Sequence, residues 1–161
     1  MERIAAGSFV VEYVGEVITN EEAEERGKKY DAEGRTYLFD LDFNAGEDEP
    51  IYTVDAAFYG NLSHFINHSC DPNLGIYSVF INNLDPNMPQ LAMFAKREIK
   101  KGEQLTFDYC QNPNSSEPSE GILASPSKSV KMTTEAGDKD SRAFAKTQCR
   151  CGADNCRKVL F

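Results

Sequence analysis

The chain has 161 residues, five cysteines, no tryptophan and a formal net charge of -9. That length fits one domain with residues to spare for a tail, and a 40% hydrophobic content can build a core, which excludes wholesale disorder. No stretch approaches the ~18 uninterrupted apolar residues of a membrane span, and Met1-Glu2-Arg3-Ile4 carries no apolar signal core, so a soluble intracellular protein is the default. Nucleic-acid affinity is built on Lys and Arg neutralising phosphates, so the acidic balance argues against direct nucleic-acid binding. It favours basic partners, or serves solubility alone. The odd cysteine count fits a reducing compartment better than a disulfide scaffold.

In chain order, Phe9 to Ile18 is β-branched and aromatic and predicts a strand. Thr19 and Glu22 form a capping box for a short helix from Asn20 to about Tyr30, with a solvated face of Glu21, Glu22, Glu24 and Glu25. Gly34 closes the next turn, Tyr37 to Leu41 is a strand, Ala45 to Pro50 an acidic loop, and Ile51 to Asp55 another strand. Tyr59 to Asn73 is turn-rich. Leu74 to Asn82 and Leu91 to Ala95 are strand-like, separated by a turn at Asp85 to Pro89. A second turn at Lys100 to Glu103 leads into Gln104 to Tyr109. Many short strands with little helix predict a mainly β domain over residues 1–110. Residues 111–147 are rich in Ser, Pro, Lys, Glu and Gly and read as a disordered insert or linker. Residues 148–161 form a compact tail.

Four segments could carry chemistry. Cys149, Cys151 and Cys156 are spaced so that three thiolates can converge on one ion, with Gly152 letting the backbone turn back. A structural zinc takes four ligands, so the fourth comes from elsewhere, with Cys70 and Cys110 as the available donors. An all-cysteine shell is closed, which points to a structural rather than a hydrolytic metal. Asn67-His68-Ser69-Cys70-Asp71-Pro72-Asn73 follows His64, so both histidines of the chain fall beside a possible zinc ligand. A lone histidine is more often structural, and adjacent His and Cys rarely face each other as a nucleophilic pair. Leu105 to Tyr109 and Glu12 to Glu16 each put a tyrosine on a strand, and each alone is explained by core packing.

Taken together, these segments resemble a SET-domain protein lysine methyltransferase. The pieces occur in the family's order: Ile4-x-x-Gly7-x-Phe9-Val10, Glu12-Tyr13-Val14-Gly15-Glu16 and Tyr37-Leu38-Phe39-Asp40. Gly60-Asn61, the Asn67 to Asn73 block, Ile99-x-x-Gly102-Glu103-x-Leu105-Thr106-Phe107-Asp108-Tyr109 and the Cys149 to Cys156 knuckle follow. The resemblance covers residues 4–110 and 149–161. Within the family, Thr36 to Asp42 and His64, where many members carry arginine, resemble the suppressor-of-variegation type, which methylates lysine 9 of histone H3.

The resemblance implies a β-clip SET fold of several short sheets with a pseudoknot, and a post-SET zinc knuckle. It implies methyl transfer from S-adenosylmethionine to a neutral lysine amine, with Tyr109 as the catalytic tyrosine and Tyr13 lining the same channel. Phe107 sits where product specificity is set, and phenylalanine there implies di- or trimethylation. Tyr37, Asn67 and His68 are expected at the cofactor, and Cys70 is expected to complete a structural zinc site with Cys149, Cys151 and Cys156. The implied partners are the histone H3 tail and chromatin proteins, and the implied setting is the nucleus, in heterochromatin formation and gene silencing. Leu160 and Phe161 are expected over the lysine channel.

The chain also departs from the family. The early Gly-Trp-Gly segment of the cofactor pocket has no counterpart, since tryptophan is absent, and no pre-SET cysteine cluster or chromodomain is present. Lys158 stands where the family usually has glycine. These departures imply a C-terminal part of a larger enzyme, weakly active or inactive and marginally stable by itself. The competing reading is a non-catalytic, zinc-stabilised SET-like module that binds histone tails.

Overall fold

In a computed structural model of the protein, the described residues are 2–33, 37–41, 52–81, 85–110 and 148–160. Gly34, Asp42, the acidic loop at Ala45 to Pro50, the 111–147 insert and Phe161 lie outside them. The described part is mainly β, as the strand-rich pattern predicts, with one long helix. Among the described residues, no helix is long and apolar enough to cross a membrane.

The first apolar run is two strands rather than the one expected: β1 (Phe9–Tyr13) and β2 (Glu16–Thr19). The break is at Val14-Gly15, where a Cβ on Gly15 would lie 2.5 Å from the Asp55 carbonyl oxygen and 2.6 Å from Val54 Cγ1. Only glycine lets the backbone pass so close. The chain then changes sheets. β1 pairs antiparallel with β7 (Gln90–Ala95), and β7 pairs with β6 (Leu74–Val79). β2 pairs with β4 (Tyr52–Asp55), and β4 pairs with β3 (Leu38–Asp40).

The helix α1 runs Asn20–Glu33, about a turn beyond the expected end. Thr19 Oγ1 accepts the Glu22 N–H at 3.4 Å, which supplies the N-terminal half of the cap. Ala23 and Tyr30 are buried, while Glu21, Glu22 and Glu25 are exposed as their charge predicts. The helix is fixed by the buried carboxylate of Asp55. Arg26 Nη1 donates to it at 2.7 Å, the Tyr30 hydroxyl at 2.8 Å and the Ala57 N–H at 2.9 Å.

The core is packed by Leu74, Leu91, Met93 and Ile99, each no more than 1% exposed. It extends through Tyr13, Phe39, Val54 and Phe107, so the same apolar cluster holds strands from all three sheets. The third sheet is small. β5 (Asn67–His68) and β8 (Thr106–Phe107) run parallel, with Asn67 opposite Thr106 and His68 opposite Phe107. The Ser69 N–H continues the pairing to the Phe107 carbonyl at 3.0 Å. Two distant motif blocks are therefore laid side by side. Buried Asn73 clamps them, because its side-chain oxygen accepts the Thr106 N–H at 2.9 Å and its amide donates to Glu103 Oε1 at 3.0 Å and to the Gln104 carbonyl at 2.8 Å.

The tail returns to this seam. The Cys149 N–H donates to the Lys158 carbonyl at 3.0 Å, and Gln148 bridges to Val159, so the knuckle is a closed loop. Gly152 sits at φ 79°, the left-handed turn that glycine makes without strain.

Candidate active site and metal centre

Tyr13 at the end of β1, Phe39 within β3, Phe107 at the end of β8 and Tyr109 just beyond it meet in an aromatic cluster. Phe107 and Tyr109 have ring centroids 4.7 Å apart, and Tyr13 meets Phe107 edge-on at 6.4 Å. Tyr13 and Phe39 lie at 5.6 Å. The Tyr13 hydroxyl donates to the Tyr37 carbonyl at 3.1 Å, and the Tyr109 hydroxyl donates to the Ile66 carbonyl at 2.8 Å. Backbone carbonyls thus aim both hydroxyls. Burial pushes the Tyr13 hydroxyl well above the usual tyrosine range, and the neighbouring Tyr109, Asp55 and Tyr37 add to it. Burial also raises Tyr109, with Tyr37 adding to the effect. Both phenols stay neutral at physiological pH, so they serve as hydrogen-bonding groups rather than bases.

His68 joins this cluster to the cysteines. Its Nδ1 accepts the Tyr109 N–H at 3.2 Å, and its Nε2 lies 3.3 Å from Cys70 Sγ. Accepting at Nδ1 places the ring proton on Nε2, directed at sulfur. Burial lowers its basicity, with Asp108 opposing and Arg157 adding to the lowering. Asn67 is exposed at the start of β5. The Tyr37 ring stacks on His64 with centroids 5.1 Å apart, and His64 Nδ1 bonds the Ala56 carbonyl at 2.8 Å. Tyr37 and His68 touch the tyrosine cluster, Tyr37 through its carbonyl on the Tyr13 hydroxyl and His68 with its ring 5.4 Å from that of Tyr109, and Asn67 precedes His68 in β5.

Three of the four cysteines expected at zinc, Cys70, Cys149 and Cys151, lie within 4.8 Å of one another together with His68, and Cys156 sits beside them with its thiol 3.9 Å from the Cys149 carbonyl. Cys70 and Cys149 have sulfurs 3.8 Å apart, matching the edge of about 3.8 Å in a tetrahedron with zinc–sulfur bonds of about 2.3 Å. The Cys149 thiol is within hydrogen-bond reach of the thiols of Cys151, Cys156 and Cys70. Backbone N–H groups point at the sulfurs: Cys70 at Cys151 Sγ (3.5 Å), Arg157 at Cys70 Sγ (3.4 Å) and Lys158 at Cys156 Sγ (3.4 Å). The Cys70 and Ala153 N–H groups pull the Cys151 thiol down to about 6, while, against the Cys151 N–H, burial and the neighbouring thiols push Cys149 up to about 12, so the first proton leaves from Cys151. These donors fit a zinc ion. His68 is a fifth donor: its nitrogen and the sulfurs of Cys70, Cys149 and Cys151 all lie within 4.8 Å of one another. Of the two donors that composition left open for the fourth position, Cys70 lies in the cluster. Cys110 is exposed, with its thiol donating to the Leu160 carbonyl.

The family of SET domains matches residues 1–110. The chain belongs to the SET-domain family. It is 50% identical to "Histone-lysine N-methyltransferase SUV39H1-A" of Danio rerio across all of this chain and 37% of that protein. It is 50% identical to "Histone-lysine N-methyltransferase Su(var)3-9" of Drosophila melanogaster across 96% of this chain and 21% of the relative. The chain therefore spans little more than a third of the longest-covered of these relatives. Among solved structures it resembles KRYPTONITE in complex with mCHH DNA, H3(1-15) peptide and SAH, with a TM-score of 0.64 and 31% identity over 99% of this chain and 26% of that one. A second KRYPTONITE complex, with mCHG DNA and SAH, matches with a TM-score of 0.62 and 29% identity.

Several residues of this SET domain were not singled out from sequence. Asp108 lies between Phe107 and Tyr109 and takes both Arg157 donors, at 2.8 and 2.6 Å. Burial alone would raise Asp108, yet Arg157 and the Cys110 N–H hold it below the usual carboxylate range. Asn73 and Asp55 are buried polar anchors. The one available signal was position: Arg157 directly follows the last clustered cysteine.

Proposed function

We propose that this SET domain transfers methyl groups from S-adenosylmethionine to a lysine side chain of the histone H3 tail, at lysine 9, giving di- and trimethyl products. The observation that carries this is the convergence of Tyr13, Phe107 and Tyr109 beside the Asn67-His68 strand, in a chain about half identical to named histone-lysine N-methyltransferases.

The bound cofactor supplies an electrophilic methyl on a sulfonium; everything else is alignment by this chain. Free lysine has a pKa of about 10.4, so the attacking amine must be held neutral. The apolar walls of Tyr13, Phe39 and Phe107 disfavour the ammonium form, and its proton leaves to solvent. The Tyr109 hydroxyl, aimed by the Ile66 carbonyl, orients the amine lone pair toward the methyl, and Tyr13 shapes the channel wall. Tyr37, Asn67 and His68 hold the cofactor, Asn67 and His68 largely through backbone groups of β5. S-adenosylmethionine held there would supply the methyl and be left as a thioether, a product class consistent with the SAH in the KRYPTONITE complexes, and the methylated ammonium would lose a proton to solvent before a further methyl is added. Phe107 offers no hydroxyl to hold a water in the space that further methyls occupy.

Cys70, Cys149, Cys151 and Cys156 would hold a zinc ion that cross-links the tail to the β5 turn, and His68 donates to the Cys70 thiolate rather than ligating. Zinc there supplies folding energy, not Lewis-acid chemistry. The acidic surface attracts a lysine-rich tail, and the setting we assign is chromatin in the nucleus. The test is a long incubation of the chain with S-adenosylmethionine and an H3 tail peptide, read by mass spectrometry. Slow accumulation of di- and trimethyl lysine 9 is expected. Binding of the peptide with no cofactor binding by calorimetry would instead mark a non-catalytic histone-tail module.

A further inference from the structure

We propose that Arg157 is a positioning residue: its fork on Asp108 couples the seating of the cysteine cluster to the placement of the Tyr109 hydroxyl. The proposal rests on the methyltransferase reading for its catalytic consequence, but its geometry stands apart from it.

The Arg157 backbone N–H points at Cys70 Sγ from 3.4 Å, so the residue is anchored on the cluster. Its guanidinium reaches Asp108 with Nη1 to Oδ2 at 2.8 Å and Nη2 to Oδ1 at 2.6 Å. The arginine side chain is 28% exposed and the carboxylate 8%, so solvent screens the pair only in part. A two-bond fork fixes the orientation of both groups, which a single lysine contact cannot do. Asp108 has no freedom to follow another course, because its Oδ1 also accepts the Cys110 N–H at 3.0 Å. Tyr109 is held between these two anchored neighbours. On its other side, the Tyr109 N–H is taken by His68, whose Nε2 faces the same Cys70 sulfur.

Two links therefore run from Cys70 to Tyr109, one through His68 and one through Arg157 and Asp108. The first uses only the SET residues. The second exists only when the tail is seated. An unseated tail takes away the Asp108 carboxylate's cation and part of its cover, and the turn carrying Tyr109 relaxes toward solvent. The hydroxyl then loses its aim at the Ile66 carbonyl. Methyl transfer depends on alignment, and a displacement of about 1 Å costs up to about a hundredfold in rate. The tail thus acts as a condition for a competent Tyr109 and not only as a cover.

The test uses the 161-residue chain with Arg157→Lys, Asp108→Asn and the double variant. Zinc content is measured first, and one ion per chain is expected in all of them. The Tyr109 amide and ring signals are then followed by NMR as zinc is added to the chelated protein. In the wild type these signals shift on loading. In the variants they are expected to shift much less, by the part that the His68 link alone transmits, although zinc is bound. Turnover is expected to fall by about tenfold to a hundredfold in kcat, with KM for S-adenosylmethionine unchanged, and the double variant is expected to match the worse single variant. Loss of zinc or of folding in both single variants would make the pair merely structural and overturn the proposal. So would Tyr109 signals that respond to zinc alike in wild type and variants. If the NMR coupling is present and methyl transfer is absent, the latch stands and the methyltransferase reading fails.

Discussion

Phe107 presents its ring edge-on to Tyr13, with centroids 6.4 Å apart and planes at 65°. Nothing on Phe107 can hold a water in the space between the two rings. Phe107→Tyr adds a hydroxyl there and takes up room that a methylated amine needs. The expected result is a product distribution shifted to monomethyl lysine, with total turnover changed less than the ratio. Mass spectrometry of the H3 peptide reads this directly, and trimethyl product from the variant would contradict it.

The cysteine cluster makes a prediction about metal. Cys70→Ser removes the one thiolate that the proposed zinc site takes from the SET body. Bound zinc is expected to fall below one per chain, and chelation is expected to lower the melting temperature of the wild type but scarcely that of the variant. Inductively coupled plasma analysis beside thermal melts checks both. Full zinc occupancy in Cys70→Ser would show that His68 or Cys110 can take the position.

Lys158 adopts φ 67°, the left-handed region in which a Cβ is strained. Lys158→Gly is expected to stabilise the tail by about 0.5–1 kcal/mol, less any gain in unfolded-state freedom. Hydrogen exchange at Cys149, whose N–H bonds the Lys158 carbonyl, is the local reporter. Slower exchange is expected in the variant, and faster exchange would refute the account of strain.

Glu103 makes a prediction about acid. Arg97, the Lys100 N–H and Asn73 together hold its carboxyl down, to about 2. Its folded-state pKa is therefore below the unfolded value of about 4.3. The stability it contributes is fully present above about pH 4.3 and is lost as pH falls toward 2. Melting temperatures measured from pH 6 down to pH 2.5 are expected to fall more steeply in the wild type than in Glu103→Gln. Parallel curves would remove Glu103 from the acid response.

The legibility of the site in the sequence follows how local its causes are. The knuckle is visible because Cys149, Cys151 and Cys156 sit at ligand spacing, and the helix because Thr19 and Glu22 are close in sequence. The break between β1 and β2 was open to view in Gly15, but the reason for it is the Asp55 backbone, which comes close only after β2 and β4 pair. Cys70 is joined to Cys149 across 79 residues, so spacing could not choose between Cys70 and Cys110, and only the family resemblance did. Asp108 and Arg157 are 49 residues apart and follow no pattern. Their pairing is a product of tertiary folding, as is the Asn73 clamp, whose three bonds fall on residues 30 to 33 positions away.

The central claim is that the Tyr109 hydroxyl aligns a lysine amine for methyl transfer. The most direct measurement compares wild type with Tyr109→Phe on an H3 tail peptide and S-adenosylmethionine. Mass spectrometry reads the methylated lysine, and calorimetry reads cofactor affinity. The account predicts methylated product from the wild type, at least a hundredfold less (about 2.7 kcal/mol of barrier) from Tyr109→Phe, and equal cofactor binding by both. Equal methylation by the two proteins would contradict it.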